Sequence, residues 1–290
     1  MPDAPTRTAL VFGASGQIGE ALLAWLAGGG WQVFAVSRVP RPPAGGVTWL
    51  TGEFANVGGL PEAVDVVFST GPLDGFAQWY ARGQVATRRV VAFGSTSLDT
   101  KQASADAYER DIVARLQAAE RLVFDTASAN GVAATVLRPT LVYGAGRDQT
   151  LARIAAMGRR MGFFVLPRGA NGKRQPVHVD DLAHAALAVV DAPATHGKAY
   201  ALPGGETLAY RDMVARTLAA LDPPARLWEV PMPVFRTALW LARKAGMMRG
   251  LTDDAAARMR EDLTFDASPA LDDFGYAPHS FILDTRAVGS

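Results

Sequence analysis

The chain has 290 residues, 49% of them apolar, and a formal net charge of +1. That length supports one large α/β domain or a main domain with a smaller companion, and the near-neutral total gives no bulk field for nucleic acid or an acidic membrane. There is no cysteine, which excludes disulfides, thiolate catalysis and Cys-ligated zinc, and no His/Asp/Glu spacing resembles another metal site.

Thr8–Gly13 is an apolar run ending in glycine and reads as a first strand, with helical spacing following over Gln17–Ala27. Trp31–Ser37, Val47–Thr51, Val64–Thr70 and Arg89–Gly94 read as four more strands. A long helix fits Ala107–Ala127, where Tyr108, Ile112, Leu116, Ala119 and Val123 form one stripe. Val132–Leu137 reads as a sixth strand. Strands alternating with helices imply right-handed βαβ units, hence a Rossmann α/β fold with a doubly wound parallel sheet.

After Pro139, glycines 144, 146, 158, 162, 169 and 172 break the chain into loops around a short helix. Val179–Val190 reads as another helix, opened by Asp180 and Asp181. Beyond it, Pro203-Gly204-Gly205, Pro223-Pro224 and Pro231-Met232-Pro233 punctuate short helices rather than more βαβ units. The expected organisation is a dinucleotide-binding domain over 1–165, taking in 175–200, and a smaller C-terminal substrate domain over 201–290. The first residues lack the basic and apolar regions of a secretory signal. No apolar run approaches the roughly 20 residues that span a bilayer, so a cytoplasmic protein is expected.

The segment Gly13-Ala14-Ser15-Gly16-Gln17-Ile18-Gly19 spaces its glycines G-x-x-G-x-x-G directly after the first strand. Gly13 can leave the strand with positive φ, Gly16 lets backbone approach a pyrophosphate, and Gly19 lets the helix pack close to the strand. The helix N-terminus then presents N–H groups to phosphate. The second strand ends in Ser37-Arg38, where an NAD site usually carries an acid. An arginine there suits a 2′-phosphate, with Arg41 assisting, so the expected cofactor is NADP(H), with NAD the lesser alternative. Glu53, after the third strand, is placed to meet the adenine amino group.

These residues, with VVAFGSTS at 90–97, LRPTLVYGAG at 137–146 and RQPVHVDDLA at 174–183, resemble the extended or atypical branch of the short-chain dehydrogenase/reductase superfamily, in the layout of its NAD-dependent epimerases and dehydratases. The resemblance covers most of the chain. It implies that Pro139 and its neighbours line the nicotinamide pocket. It also implies that hydroxyls after the fifth strand, here Ser95, Thr96 and Ser97, polarise the reacting oxygen, and that the protein dimerises through its long helices. The family's chemistry uses a Tyr with a Lys four residues later on the long helix. Here Tyr108 is followed by Ile112, and the register set by Ala118-Ala119-Glu120 puts Ile112 and Leu116 at the two positions. Neither register pairs Tyr with Lys, and Lys101 is the one lysine nearby.

Tyr108 is then either a lone proton donor, a partner of Lys101, or a core aromatic on the stripe; Tyr143 is a second candidate donor that in the family shapes the substrate pocket. The family places an arginine near Arg174 on substrate phosphates, and Phe163 is a candidate wall of the same pocket. His178 reads as structural, holding the helix start with Asp180. The apolar C-terminal third, including an amphipathic stretch over Phe235–Met248, reads as a lid over a hydrophobic substrate, a membrane-surface helix or ordinary packing. Three functions follow. The first is an NADP(H)-dependent oxidoreductase reducing a partly apolar carbonyl compound. The others are a sugar-nucleotide epimerase or dehydratase, and a redox-silent NADP(H)-binding sensor or structural protein.

Overall fold

The computed structural model describes residues 6–43, 45–100, 107–148, 150–244 and 258–283. By their contacts the residues form two compact units. One comprises 1–140, 179–202 and 266–278; the other comprises 141–178, 203–265 and 279–290. Residues 141–165, grouped with the first domain in the sequence reading, thus lie in the second unit, and 266–278 lie in the first.

The first unit is built on β1 (Thr8–Phe12), β2 (Gln32–Ser37), β3 (Val47–Thr51), β4 (Ala63–Ser69), β5 (Ala86–Phe93) and β6 (Ala133–Pro139). A further strand, Lys198–Leu202, completes a seven-stranded sheet in the order Lys198–Leu202, β6, β5, β4, β1, β2, β3, and every pairing is parallel. This is a Rossmann-like α/β fold, as expected. The edge strand was not legible from the sequence: Lys198–Leu202 has only five residues and follows directly on short 3-10 turns at Val189–Asp191 and Pro193–Thr195.

Helix α1 (Gln17–Gly28) buries Ile18, Leu22 and Leu26 at four-residue spacing, which fixes one face on the sheet. Helix α2 (Leu73–Tyr80), passed over in the sequence, buries Phe76, Ala77, Trp79 and Tyr80. With Phe12 and Phe54 these rings form the aromatic part of the core. A one-turn helix, α3 (Ser97–Thr100), precedes the long α4 (Ala107–Ala129). On α4 the buried residues are Val113, Ala119, Glu120, Val123 and Ala127. Tyr108 is 67% exposed, so it is not a core aromatic; the buried stripe begins a turn later.

In the second unit, α5 (Leu151–Met161) begins where Asp148 accepts hydrogen bonds from the Thr150 and Leu151 N–H groups. Gly158 does not break this helix. A Cβ there would stand 2.7 Å from a Leu218 methyl and 2.8 Å from one of Leu221, so glycine permits close packing against α7 (Tyr210–Ala219). The second unit also contains the short strands β7 (Val142–Tyr143), β8 (Phe163–Pro167), β9 (Lys173–Arg174) and β10 (Val177–His178), and helix α6 (Val179–Ala188) belongs to the first unit. Strand Arg226–Val230 pairs in parallel with β8, a crossover the sequence reading replaced with short helices. Helix α8 spans Met232–Lys244; the expected continuation to 248 lies outside the described residues.

Candidate functional site

All seven strands of the first unit run the same way, so β1, β2, β3, β4 and β5 deliver the residues that follow them to one edge of the sheet. At the end of β1, Gly13 has φ +69°, and a Cβ there would lie 2.6 Å from the Gly71 nitrogen. The Gly13 carbonyl accepts from Gly16 N–H at 2.8 Å and from the Thr70 hydroxyl at 2.9 Å. A Cβ on Gly19 would lie 2.2 Å from that same carbonyl oxygen and 2.8 Å from Ala14 Cα. Each contact is with backbone, so glycine is what the turn requires at both positions.

Gly16 is the N-cap of α1 and supplies no side chain to cap its first turn. The leading N–H groups and the positive end of the helix are left for an anion. A cradle that no Cβ can enter and an uncapped helix start fit a bound pyrophosphate. Thr70, which clamps the turn from the end of β4, was missed in the sequence; a threonine after a strand carries no distinguishing signal.

Arg38 is exposed at the end of β2 and makes no hydrogen bond or ion pair among the described residues. Arg41, by contrast, faces Glu20 at 3.8 Å and lies over the Trp49 ring at 5.1 Å. Of the two, Arg38 is the one whose fork is uncommitted. Ser37 is buried and its hydroxyl accepts from Val39 N–H, which shapes the loop. Glu53 is exposed after β3, in a turn where its carbonyl accepts from Asn56 N–H.

Ser95, Thr96 and Ser97 follow β5 in one tight turn. Their roles differ. Thr96 is buried, and its hydroxyl donates to the Pro139 carbonyl at 3.0 Å, tying this turn to the end of β6. Ser95 Oγ accepts from Ser97 N–H at 3.1 Å, and the Ser97 hydroxyl has no partner among the described residues. Ser95 and Ser97 are therefore the hydroxyls left to address a ligand. Beneath them, Glu120 of α4 grips Arg138 of β6 at 2.8 and 2.5 Å, and Arg138 also faces Asp99 at 3.5 Å. Hydrogen bonding to Glu120 raises the Arg138 pKa further. This pair was missed in the sequence, where Glu120 served only to set a register. Ile112 and Leu116 are half-buried on α4, and Lys101 lies outside the described residues.

In the second unit Tyr143 is fully buried. Its hydroxyl accepts from Ile282 N–H at 3.3 Å, and its ring meets His178 and Phe281 edge-on. His178 pairs with it across β7 and β10, and a Cβ on Gly144 would lie 2.2 Å from the His178 ring. Arg174 is buried, and its terminal nitrogens donate to the carbonyls of Lys173, Glu261 and Arg258. Burial lowers its pKa, and Tyr210 lies against it at 5.4 Å. These bonds pin the 258–261 segment, a role different from the anion contact expected of it. Phe163 stacks on Trp228 at 4.3 Å. Among the described residues no cluster could hold a metal, and no helix is long and apolar enough to cross a membrane.

Residues 113–202 match the NAD dependent epimerase/dehydratase family, in line with the resemblance read from the sequence. Over 93% of this chain and 94% of the relative, the sequence is 28% identical to the 2-alkyl-3-oxoalkanoate reductase of Stenotrophomonas maltophilia. The fold is shared with the terminal R domain from the myxalamid PKS-NRPS biosynthetic pathway, at TM-score 0.72 and 16% identity over 99% of this chain and 89% of that one. It is also shared with RMD from Pseudomonas aeruginosa, solved with NADPH, at TM-score 0.63 and 15% identity over 98% and 96% of the two chains.

Proposed function

We propose that the chain is an NADP(H)-dependent oxidoreductase that reduces a partly apolar carbonyl compound. The observation that carries this reading is the uncapped start of α1 in its glycine cradle, with the uncommitted Arg38 fork at the neighbouring strand end. Gly13–Gly19 would hold the pyrophosphate and Arg38 the 2′-phosphate; Glu53 would meet the adenine and Pro139 the nicotinamide side. Bound there, the cofactor supplies the hydride. The chain's own part is to orient the carbonyl and polarise its oxygen, which Ser95 and Ser97 do by donating hydrogen bonds as charge builds on that oxygen. Thr96 holds their turn through the Pro139 carbonyl. The proton comes from Tyr108, Tyr143 or water, since α4 carries no lysine to pair with Tyr108. The full-length relative acts, by its name, on 2-alkyl-3-oxoalkanoates, so 3-oxo acids with alkyl substituents are the first substrates to test.

The expected result is NADPH consumption with such an acid. The double variant Ser95→Ala/Ser97→Ala should lower kcat/KM by about 100-fold, the usual scale for lost oxyanion donors, with NADPH affinity unchanged. Thr96 is left intact because its hydroxyl is structural. Full turnover in the double variant would remove these serines from the mechanism. The family match favours one other reading, a sugar-nucleotide epimerase or dehydratase. Turnover of a UDP-sugar by protein that copurifies with NAD would replace the reductase reading. Nucleotide binding without turnover on either panel would leave the redox-silent one.

A further inference from the structure

The net charge of +1 conceals a division. The second unit carries seventeen Lys and Arg against ten Asp and Glu, while the first carries twelve against eighteen. The absence of a bulk field therefore holds for the total and not for the parts.

The second unit also carries exposed apolar side chains. The pairing of β8 with Arg226–Val230 puts Phe164, Leu166 and Leu227 on its core side. The alternate residues Phe163, Val165, Trp228 and Val230 share the other face. Phe235 of α8 covers Val165 and Val230. The other end of the face is left open: Phe163 and Trp228 stack on each other, and Trp228 remains 49% exposed. Met161 beside it is exposed, as are Val234 and Trp240 (53%) on α8. Arg160 precedes Met161, Arg226 is paired with Phe163 two residues before Trp228, and Arg236 lies four residues before Trp240 on α8; all three are exposed and without ion-pair partners among the described residues. Glu229, the nearby acid on the strand, is taken up by Arg211.

We propose that this face docks on an anionic phospholipid surface. Exposed tryptophans flanked by unopposed arginines match the headgroup layer, where the indole sits at the interface and the guanidinium meets phosphate. Neither signal is sufficient alone, because stable peripheral binding takes an apolar insertion together with a cationic one.

The test is sedimentation of the full chain with vesicles of phosphatidylglycerol and phosphatidylcholine, or of phosphatidylcholine alone. Wild type is expected to bind the anionic vesicles about tenfold or more tightly than the neutral ones, and to be released by high salt. The aromatic variant Trp228→Ala/Trp240→Ala and the reversal Arg160→Glu/Arg226→Glu/Arg236→Glu should each lose that binding. Both should keep the wild-type melting temperature and NADPH affinity, which shows them folded. Arg88→Glu, a reversal on the first unit, should bind as wild type does. Several results would overturn the proposal: wild type that stays in the supernatant at low salt, equal loss in Arg88→Glu, or binding that survives both patch variants. A salt-stable dimer that Trp228→Ala/Trp240→Ala dissolves would assign the face to a second copy instead.

Discussion

Gly19→Ala is expected to cripple nucleotide binding while the rest of the fold survives. In the middle of a helix this exchange normally stabilises by about 1 kcal/mol. Here the new methyl would stand 2.2 Å from the Gly13 carbonyl oxygen and 2.8 Å from Ala14 Cα. Both are backbone atoms, so no side chain can swing away. Overpacking of this kind costs about 1–3 kcal/mol and outweighs the helical gain. The Gly13 carbonyl also anchors Gly16 and Thr70, so moving it displaces the N–H groups that would meet phosphate. NADPH affinity should fall by about 100-fold, roughly 2.7 kcal/mol, as read by calorimetric titration. Gly28→Ala is the control. It sits at the far end of α1 with nothing within 4 Å of its would-be Cβ, and it should bind normally. Wild-type affinity in Gly19→Ala would mean that the turn holds no phosphate.

The largest loss of stability is expected from Glu120→Ala. Glu120 is buried, and Arg138 is largely so; removing the carboxylate leaves the guanidinium facing only Asp99 at 3.5 Å. Breaking a buried pair from one side costs about 3–5 kcal/mol. At about 2–4 °C per kcal/mol for a domain of this size, the melting temperature should drop by roughly 10 °C. The pair lies between α4 and the end of β6, next to the Pro139 carbonyl that holds Thr96, so the serine turn should loosen with it. Glu120→Gln, which keeps one acceptor, should lose less. Glu120→Ala/Arg138→Met should recover part of the loss, because no charge is then left unpaired. A denaturation midpoint for Glu120→Ala equal to wild type would contradict this account of the pair.

What the sequence disclosed and what it hid have physical reasons. Six of the seven strands of the first unit were legible because each is a compact apolar run, and β3 was read to the residue. The glycine turn was legible because three glycines at fixed spacing after a strand have a steric cause, visible in the three close approaches they permit. Lys198–Leu202 was hidden because five residues with a lysine and a tyrosine do not announce a sheet edge. Gly158 was misread as punctuation because the sequence does not record that Leu218 and Leu221 press against it. Tyr108 fell on a helical stripe, but the stripe runs past the end of the core, which leaves that ring in solvent. Arg174 looked like an anion anchor by position. Its terminal nitrogens are instead on carbonyls more than eighty residues away, a partnership no local pattern carries. The charge split between the units was present in the composition but needed the unit boundaries to be seen.

The central claim is that the glycine turn and Arg38 together make an NADP(H) site, and one measurement tests it most directly: calorimetric titration of wild type and Arg38→Ala with NADPH and with NADH. A charge-assisted contact to the 2′-phosphate contributes about 1.5–3 kcal/mol, so wild type should prefer NADPH by about 10- to 100-fold. Arg38→Ala should lose that preference through weaker NADPH binding alone, with NADH affinity unchanged. Equal affinity of wild type for the two nucleotides, or an equal loss of both in the variant, would contradict the assignment.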